Sequence, residues 1–183
     1  MKRSRRVALT AVTLSAGALA GGVGLTAAAN GASGDSANGS AVNQFPTPAG
    51  PGFAQLDVKA RSDPSGLNPQ GTVHAKGTSG APGGEFEVRG PVTCLRVDGN
   101  RAAIKYRFSQ ASGSAAPFKG GGVEVFVEDN GKPGHPGDAN ASGPPQTEGV
   151  FDANATQCDD PNTANYDTVT SGDYTVIDSV VGP

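Results

Sequence analysis

Glu85-Phe86-Glu87-Val88-Arg89, continued after Gly90-Pro91 by Val92-Thr93-Cys94-Leu95-Arg96-Val97 and returned by Arg101-Ala102-Ala103-Ile104-Lys105-Tyr106-Arg107-Phe108, decides the fold. In the first segment Phe86 and Val88 alternate with charged neighbours. In the last, Ala102, Ile104, Tyr106 and Phe108 fall on one side while Arg101, Lys105 and Arg107 fall on the other. A period of two sends successive side chains to opposite faces of a strand. Asp98-Gly99-Asn100 supplies the residue types that a tight reversal needs. The segments therefore predict an antiparallel hairpin with one buried face, and Arg101, Lys105 and Arg107 read as its solvated face.

The same alternation recurs on either side. Downstream of Gly120-Gly121-Gly122, Val123, Val125 and Val127 alternate with Glu124 and Glu128 and stop at Asp129-Asn130-Gly131. Upstream, Gln55–Lys59 and Gly71–Lys76 read as short strands joined by the turn-rich Ser62–Pro69, and Tyr174–Val181 reads as a closing strand. Lys132–Gly149, dense in Pro and Gly, reads as irregular. With 28 Gly, 14 Pro and no helical period, the chain is expected to be all-β. The pattern fits a small antiparallel sandwich or barrel of about 6–8 strands.

The first 29 residues carry a different signal. Met1–Arg6 is basic, Val7–Leu25 is apolar and built of small residues, and Ala27-Ala28-Ala29 offers a cleavage pattern before Asn30. Thr10, Thr13, Ser15 and the glycines between Gly17 and Gly24 dilute the apolar run below what a stable membrane span needs. Residues 1–29 are thus expected to be a cleaved signal peptide. Ser4-Arg5-Arg6 followed by Leu9 fits twin-arginine export, and general secretion stays open. Residues 30–51 are mostly Gly, Ser, Ala, Asn, Pro and Thr with Asp35 as their one charge, and are read as a flexible linker. Residues 52–183 are the expected single β domain.

Charge narrows the partners. The chain carries a formal net charge of -3, but Lys2, Arg3, Arg5 and Arg6 leave with the signal, so 10 basic residues of the original 14 face 17 acidic ones, a net of -7. An acidic surface excludes nucleic acid and anionic lipid as partners, since both demand clustered Lys and Arg. The expected location is secreted or cell-wall associated, with a cell-wall polymer or another surface protein as partner. High Ala and Gly content beside an Arg-rich signal reads as bacterial, which leaves the glycosylation triplets at Asn38, Asn140 and Asn154 without a modifying pathway.

Cys94 and Cys158 are the two cysteines of the chain. In an exported protein such a pair reads as a disulfide. A metal site would need further ligands, and His74 and His135 have no helpful spacing.

Candidate chemistry is sparse. Asp129, Asn130 and Asp138 lie around Gly131 and Gly137 and could supply oxygen ligands to calcium, although the spacing is not that of an EF-hand; the alternative is a solvated hairpin turn. Asp159-Asp160-Pro161-Asn162 reads as a turn. There is no G-x-S-x-G, and two histidines offer few general bases. Paired carboxylates for glycoside hydrolysis are defined in space and stay open as a second class.

Across Gly90-Pro91-Val92-Thr93-Cys94-Leu95-Arg96-Val97-Asp98-Gly99-Asn100-Arg101-Ala102-Ala103-Ile104, and again at Val127-Glu128-Asp129-Asn130-Gly131-Lys132-Pro133-Gly134 with Asp138 beyond, the chain resembles a group of small secreted actinobacterial proteins, some labelled repetin-like. The group is built around a V-x-C-L-x-V-x-G-N-x-A core, and the match covers roughly residues 53 to 180. The resemblance implies a secreted β-fold and a partner role for Cys158, in a group with no assigned activity. The expected function is a non-enzymatic extracellular β domain that binds a surface polymer or small ligand. The alternatives are a secreted carboxylate-based hydrolase and a calcium-stabilised module.

Overall fold

In the computed structural model, which describes residues 34–63, 65–131, 138–154 and 157–179, the deciding hairpin is present as β4 (Glu85–Asp98) and β5 (Arg101–Arg107). The segment read as an export signal, His135 and Val181 lie outside the described residues. Leu95 stands opposite Ile104 and Val97 opposite Ala102, so the alternation read from sequence sets the register.

The remaining strands are β1 (Ser36–Thr47), β2 (Gly50–Arg61), β3 (Gln70–Thr78), β6 (Gln110–Gly113), β7 (Gly122–Glu128), β8 (Ala139–Ser142), β9 (Asp167–Thr168) and β10 (Ser171–Ile177). All pair antiparallel in the order β10-β1-β2-β3-β4-β5-β7-β8-β9, with β6 continuing the line of β5 beside β4. The ten strands form one curled sheet, a half-barrel rather than a two-sheet sandwich, and exceed the six to eight expected. No helix among the described residues is long and apolar enough to cross a membrane.

The strands that were not expected explain the excess. Residues 30–51 are not a tether throughout, because Ser36–Thr47 pairs with β2 along its whole length, from Ser36 opposite Arg61 to Thr47 opposite Gly50, and with β10 on its other side. Its small polar residues have weak strand preference alone, and two flanking ladders override that preference. Likewise Ala139–Ser142, within the Lys132–Gly149 stretch expected to be irregular, is held as β8 by pairing with β7.

Two local devices shape the sheet. Between Val92 and Cys94 the register of β4 against β5 slips by one, leaving Thr93 as an extra residue. A bulge of this kind reverses which residues face inward. Before it Val88 and Val92 enter the core, after it Leu95 does, and Cys94 turns to the outer face opposite Lys105. Where β5 hands over to β6, a Cβ on Gly90 would lie 1.5 Å from the Arg107 carbonyl oxygen, so the bend admits glycine alone.

The core fills the concave side. Val58, Val73, Leu95, Ile104, Val127 and Tyr174 are all nearly inaccessible to solvent and pack together at one end. Around the seam two carboxylates and one backbone carbonyl, rather than a continuous ladder, take up the donors of the last segment. Asp138 Oδ2 accepts the backbone N–H of Tyr174 at 2.6 Å, Asp129 Oδ2 accepts that of Val176 at 3.1 Å, and the Asp138 carbonyl accepts that of Val169 at 2.9 Å.

The outer face of β4, β5 and β7 is partly covered rather than fully solvated. Cys158 is disulfide-bonded to Cys94 with Cα atoms 5.8 Å apart, which lays the chain around it across that face. Arg101 pairs with Glu128 at 2.6 Å and Lys105 with Glu124 at 3.7 Å, while the Lys105 ammonium also donates to the Gln157 carbonyl. The Arg101 guanidinium lies over the Tyr166 ring and that of Arg107 over the Phe151 ring. The expected solvated face fails because a charged strand face with a cross-linked segment above it becomes a half-buried ion-pair layer.

Candidate ligand-binding cavity

The concave side is filled at one end and hollow at the other. Inward positions at the hollow end carry Ala54 and Ala75, too small to meet across the half-barrel, and a cavity of about 370 Å³ remains. Its deep wall is Leu56, Val88, Phe108, Val123 and Val125, all buried. Phe45, Phe86 and Phe118, half-buried, and exposed Pro145 line the side where it meets solvent. The volume lies within the range of small-molecule sites, which are mostly apolar with few polar groups.

Gly52 helps to set the mouth. It stands opposite Phe45, and a Cβ there would come within 2.4 Å of the Phe45 ring. The phenylalanine can therefore lie against β2 only where a side chain is missing.

The polar groups of the wall are nearly all committed. Ser142 donates its hydroxyl to the Gly143 carbonyl at 3.0 Å, Ser114 bonds the Glu85 carbonyl at 3.2 Å, and Asn140 gives its amide to the Tyr174 hydroxyl at 2.9 Å. Tyr106 differs. It is 1% exposed, its ring meets that of Phe108 edge to face, and its hydroxyl has no hydrogen-bond partner among the described residues. Burial alone pushes its phenol far above the ordinary tyrosine range, so it stays a neutral donor.

Sequence-derived candidates are placed elsewhere. Asp129, Asn130 and Asp138 do converge, but as the seam between β7, β8 and β10: Asp129 Oδ1 accepts Gly131 N–H at 3.0 Å and Asp138 Oδ1 accepts Asn130 N–H at 2.9 Å, beside the two bonds to β10. Among the described residues no three His, Cys, Asp or Glu side chains are grouped to hold a metal ion. Nearby Asp173 has its carboxyl raised, first by burial and then by the repulsion of Asp138 and Asp129. Asn140 is 8% exposed and bonded to Tyr174, which closes that glycosylation triplet.

On the convex face, Ser40, Asp57, His74 and Glu87 form a polar row across β1 to β4. Ser40 donates to Asp57, while His74 Nδ1 stands 3.3 Å from Asp57 and Nε2 stands 2.8 Å from Glu87. The hydroxyl is bonded to a carboxylate and both ring nitrogens face carboxylates, so the row lacks the serine-to-histidine bond of a nucleophilic site.

The cavity was not read from the sequence, although Tyr106 was placed on the inward face. The missing signal was spatial: Ala54 on β2 and Ala75 on β3 meet Asn140 and Ser142 of β8 around one hollow only once the sheet curls. Comparison of the chain with family models, curated proteins and solved structures finds no match.

Proposed function

We propose that this protein is an exported, non-enzymatic β domain that holds a small apolar molecule inside its half-barrel, either secreted or at the cell wall. The observation that carries the reading is the cavity of about 370 Å³ with an apolar wall and an unpartnered Tyr106 hydroxyl. Such a site suits a small ligand better than a polymer, which needs an open groove. Export rests on the basic and apolar N-terminal segment, on the Cys94 to Cys158 bond, which is compatible with an oxidising compartment, and on the resemblance to secreted actinobacterial proteins.

The test is a titration of the purified chain with N-phenyl-1-naphthylamine, a neutral dye that brightens in apolar surroundings. Saturable one-to-one binding is expected, and Ala54→Phe, which fills the hollow end, should abolish it. Dye that fails to saturate, or binds Ala54→Phe as it binds the parent, rejects the reading.

A further inference from the structure

The cavity wall carries no Lys, Arg, His, Asp or Glu. An ionic ligand entering it would lose its hydration and meet no opposite charge, which strongly disfavours anions and cations alike. A neutral hydrocarbon would fit the wall but would leave one group unanswered. Buried tyrosine hydroxyls ordinarily find a partner. The chain has three tyrosines. Tyr174 is bonded to Asn140 at 2.9 Å and to the Leu56 carbonyl at 3.4 Å, and Tyr166 donates to the Pro161 carbonyl at 2.9 Å. Tyr106 has neither kind of partner, and it is the tyrosine that lines the cavity.

We infer that the ligand is an uncharged lipophilic molecule bearing an oxygen acceptor, such as a ketone, ester or ether, which the Tyr106 hydroxyl binds. The inference rests on the cavity reading above and adds the chemical class of the occupant. The serine hydroxyls of the wall are already donating to carbonyls, so Tyr106 carries the hydroxyl of the wall that is open to a ligand. Its raised ionisation keeps that proton in place across the physiological range. The ligand's apolar body packs against Leu56, Val88 and Val125.

Three probes of one shape separate the possibilities: naphthalene, 2-acetylnaphthalene and 2-naphthoate, titrated by fluorescence at neutral pH into the parent, Tyr106→Phe and Ala54→Phe. The ketone should bind the parent roughly tenfold more tightly than naphthalene, the value of one well-made hydrogen bond to a donor otherwise left bare. In Tyr106→Phe that preference should fall to within about twofold, with naphthalene held as before, and the carboxylate should bind most weakly. Equal affinity for ketone and hydrocarbon in the parent, a ketone preference that survives in Tyr106→Phe, or carboxylate binding as tight as the ketone would overturn the inference. The parent alone suffices if the variant does not fold, because methyl 2-naphthoate should outbind 2-naphthoate and the reverse order rejects neutrality. If no probe binds, or Ala54→Phe binds all three unchanged, the cavity reading falls too. If probes bind without discrimination, the cavity stands and the chemical class falls.

Discussion

The carboxylate of Asp138 accepts the backbone N–H of Tyr174 at 2.6 Å and thereby joins the last strand to the start of β8. Its other oxygen accepts Asn130 N–H at 2.9 Å, so one side chain, itself 3% exposed, holds two separate stretches of backbone. Edges of a sheet expose unpaired donors and acceptors, and here carboxylates answer the donors of β10 where no neighbouring strand does.

Replacing Asp138 with Ala should cost on the order of 3 kcal/mol, the weight of losing bonds to a charged acceptor and leaving buried N–H groups bare. Asp138→Asn, which keeps one carbonyl acceptor, should recover about half. Thermal unfolding checks both, and an alanine variant as stable as the parent would show that the seam is held elsewhere. The same measurement with calcium and with chelator should give one midpoint, because these oxygens already accept backbone N–H groups. A rise of several degrees with calcium would restore Asp129, Asn130 and Asp138 as ion ligands.

The Cys94 to Cys158 bond spans 64 residues of sequence. In the chain-entropy view, reduction should lower stability by about 4 kcal/mol at most. It should also free the segment around Cys158 from the outer face and expose the Lys105 and Glu124 pair. The cavity lies on the opposite face of the sheet, so dye affinity measured below the unfolding transition should be unchanged. Chemical denaturation with and without reductant tests the first expectation. Loss of dye binding in the folded, reduced protein would contradict the second.

What the sequence made legible was local. Alternation at Arg101–Phe108 and Val123–Glu128 placed those strands and their buried sides, because a half-buried strand writes its environment at every second position. Thr93 shows the limit: a one-residue bulge reverses inside and outside along β4, and nothing in Val92-Thr93-Cys94 announces it. Strand β1 was hidden because its partners, rather than its own residues, hold it extended. Cover over Arg101 and Lys105 depended on where the disulfide lays a distant segment. The site was hidden for a related reason, since a cavity is the volume that residues such as Ala54 and Ala75 leave unfilled together.

Tyr106 gives a prediction for the unliganded protein. The Tyr106 hydroxyl has no partner among the described residues and belongs to the cavity wall, so Tyr106→Phe should keep or raise stability, by about 1 kcal/mol at most. Most substitutions at a buried residue destabilise, which makes the sign informative. Thermal unfolding of both proteins without ligand decides it. A fall in midpoint would mean that the hydroxyl has a partner in solution.

Acid should act on the convex face. Burial pulls the Asp57 carboxyl upward, but hydrogen bonds from Ser40 and Gln55 and the charge of His74 outweigh it, and the group sits below its ordinary value of 3.8. A carboxyl depressed in the folded state binds protons less readily than in the unfolded chain. Its contribution to stability is therefore complete above that ordinary value and is lost as the pH falls through the depressed one. Asp57→Asn removes the titrating group and keeps the shape. The parent's stability advantage over this variant should hold near neutrality and close as the pH drops below about 4. Urea midpoints of the two proteins, taken as a difference, cancel the exposed Asp63 and Asp160, whose carboxyls are also lowered. Two curves that stay parallel through that range would show that Ser40, Gln55 and His74 do not favour the ionised form of Asp57.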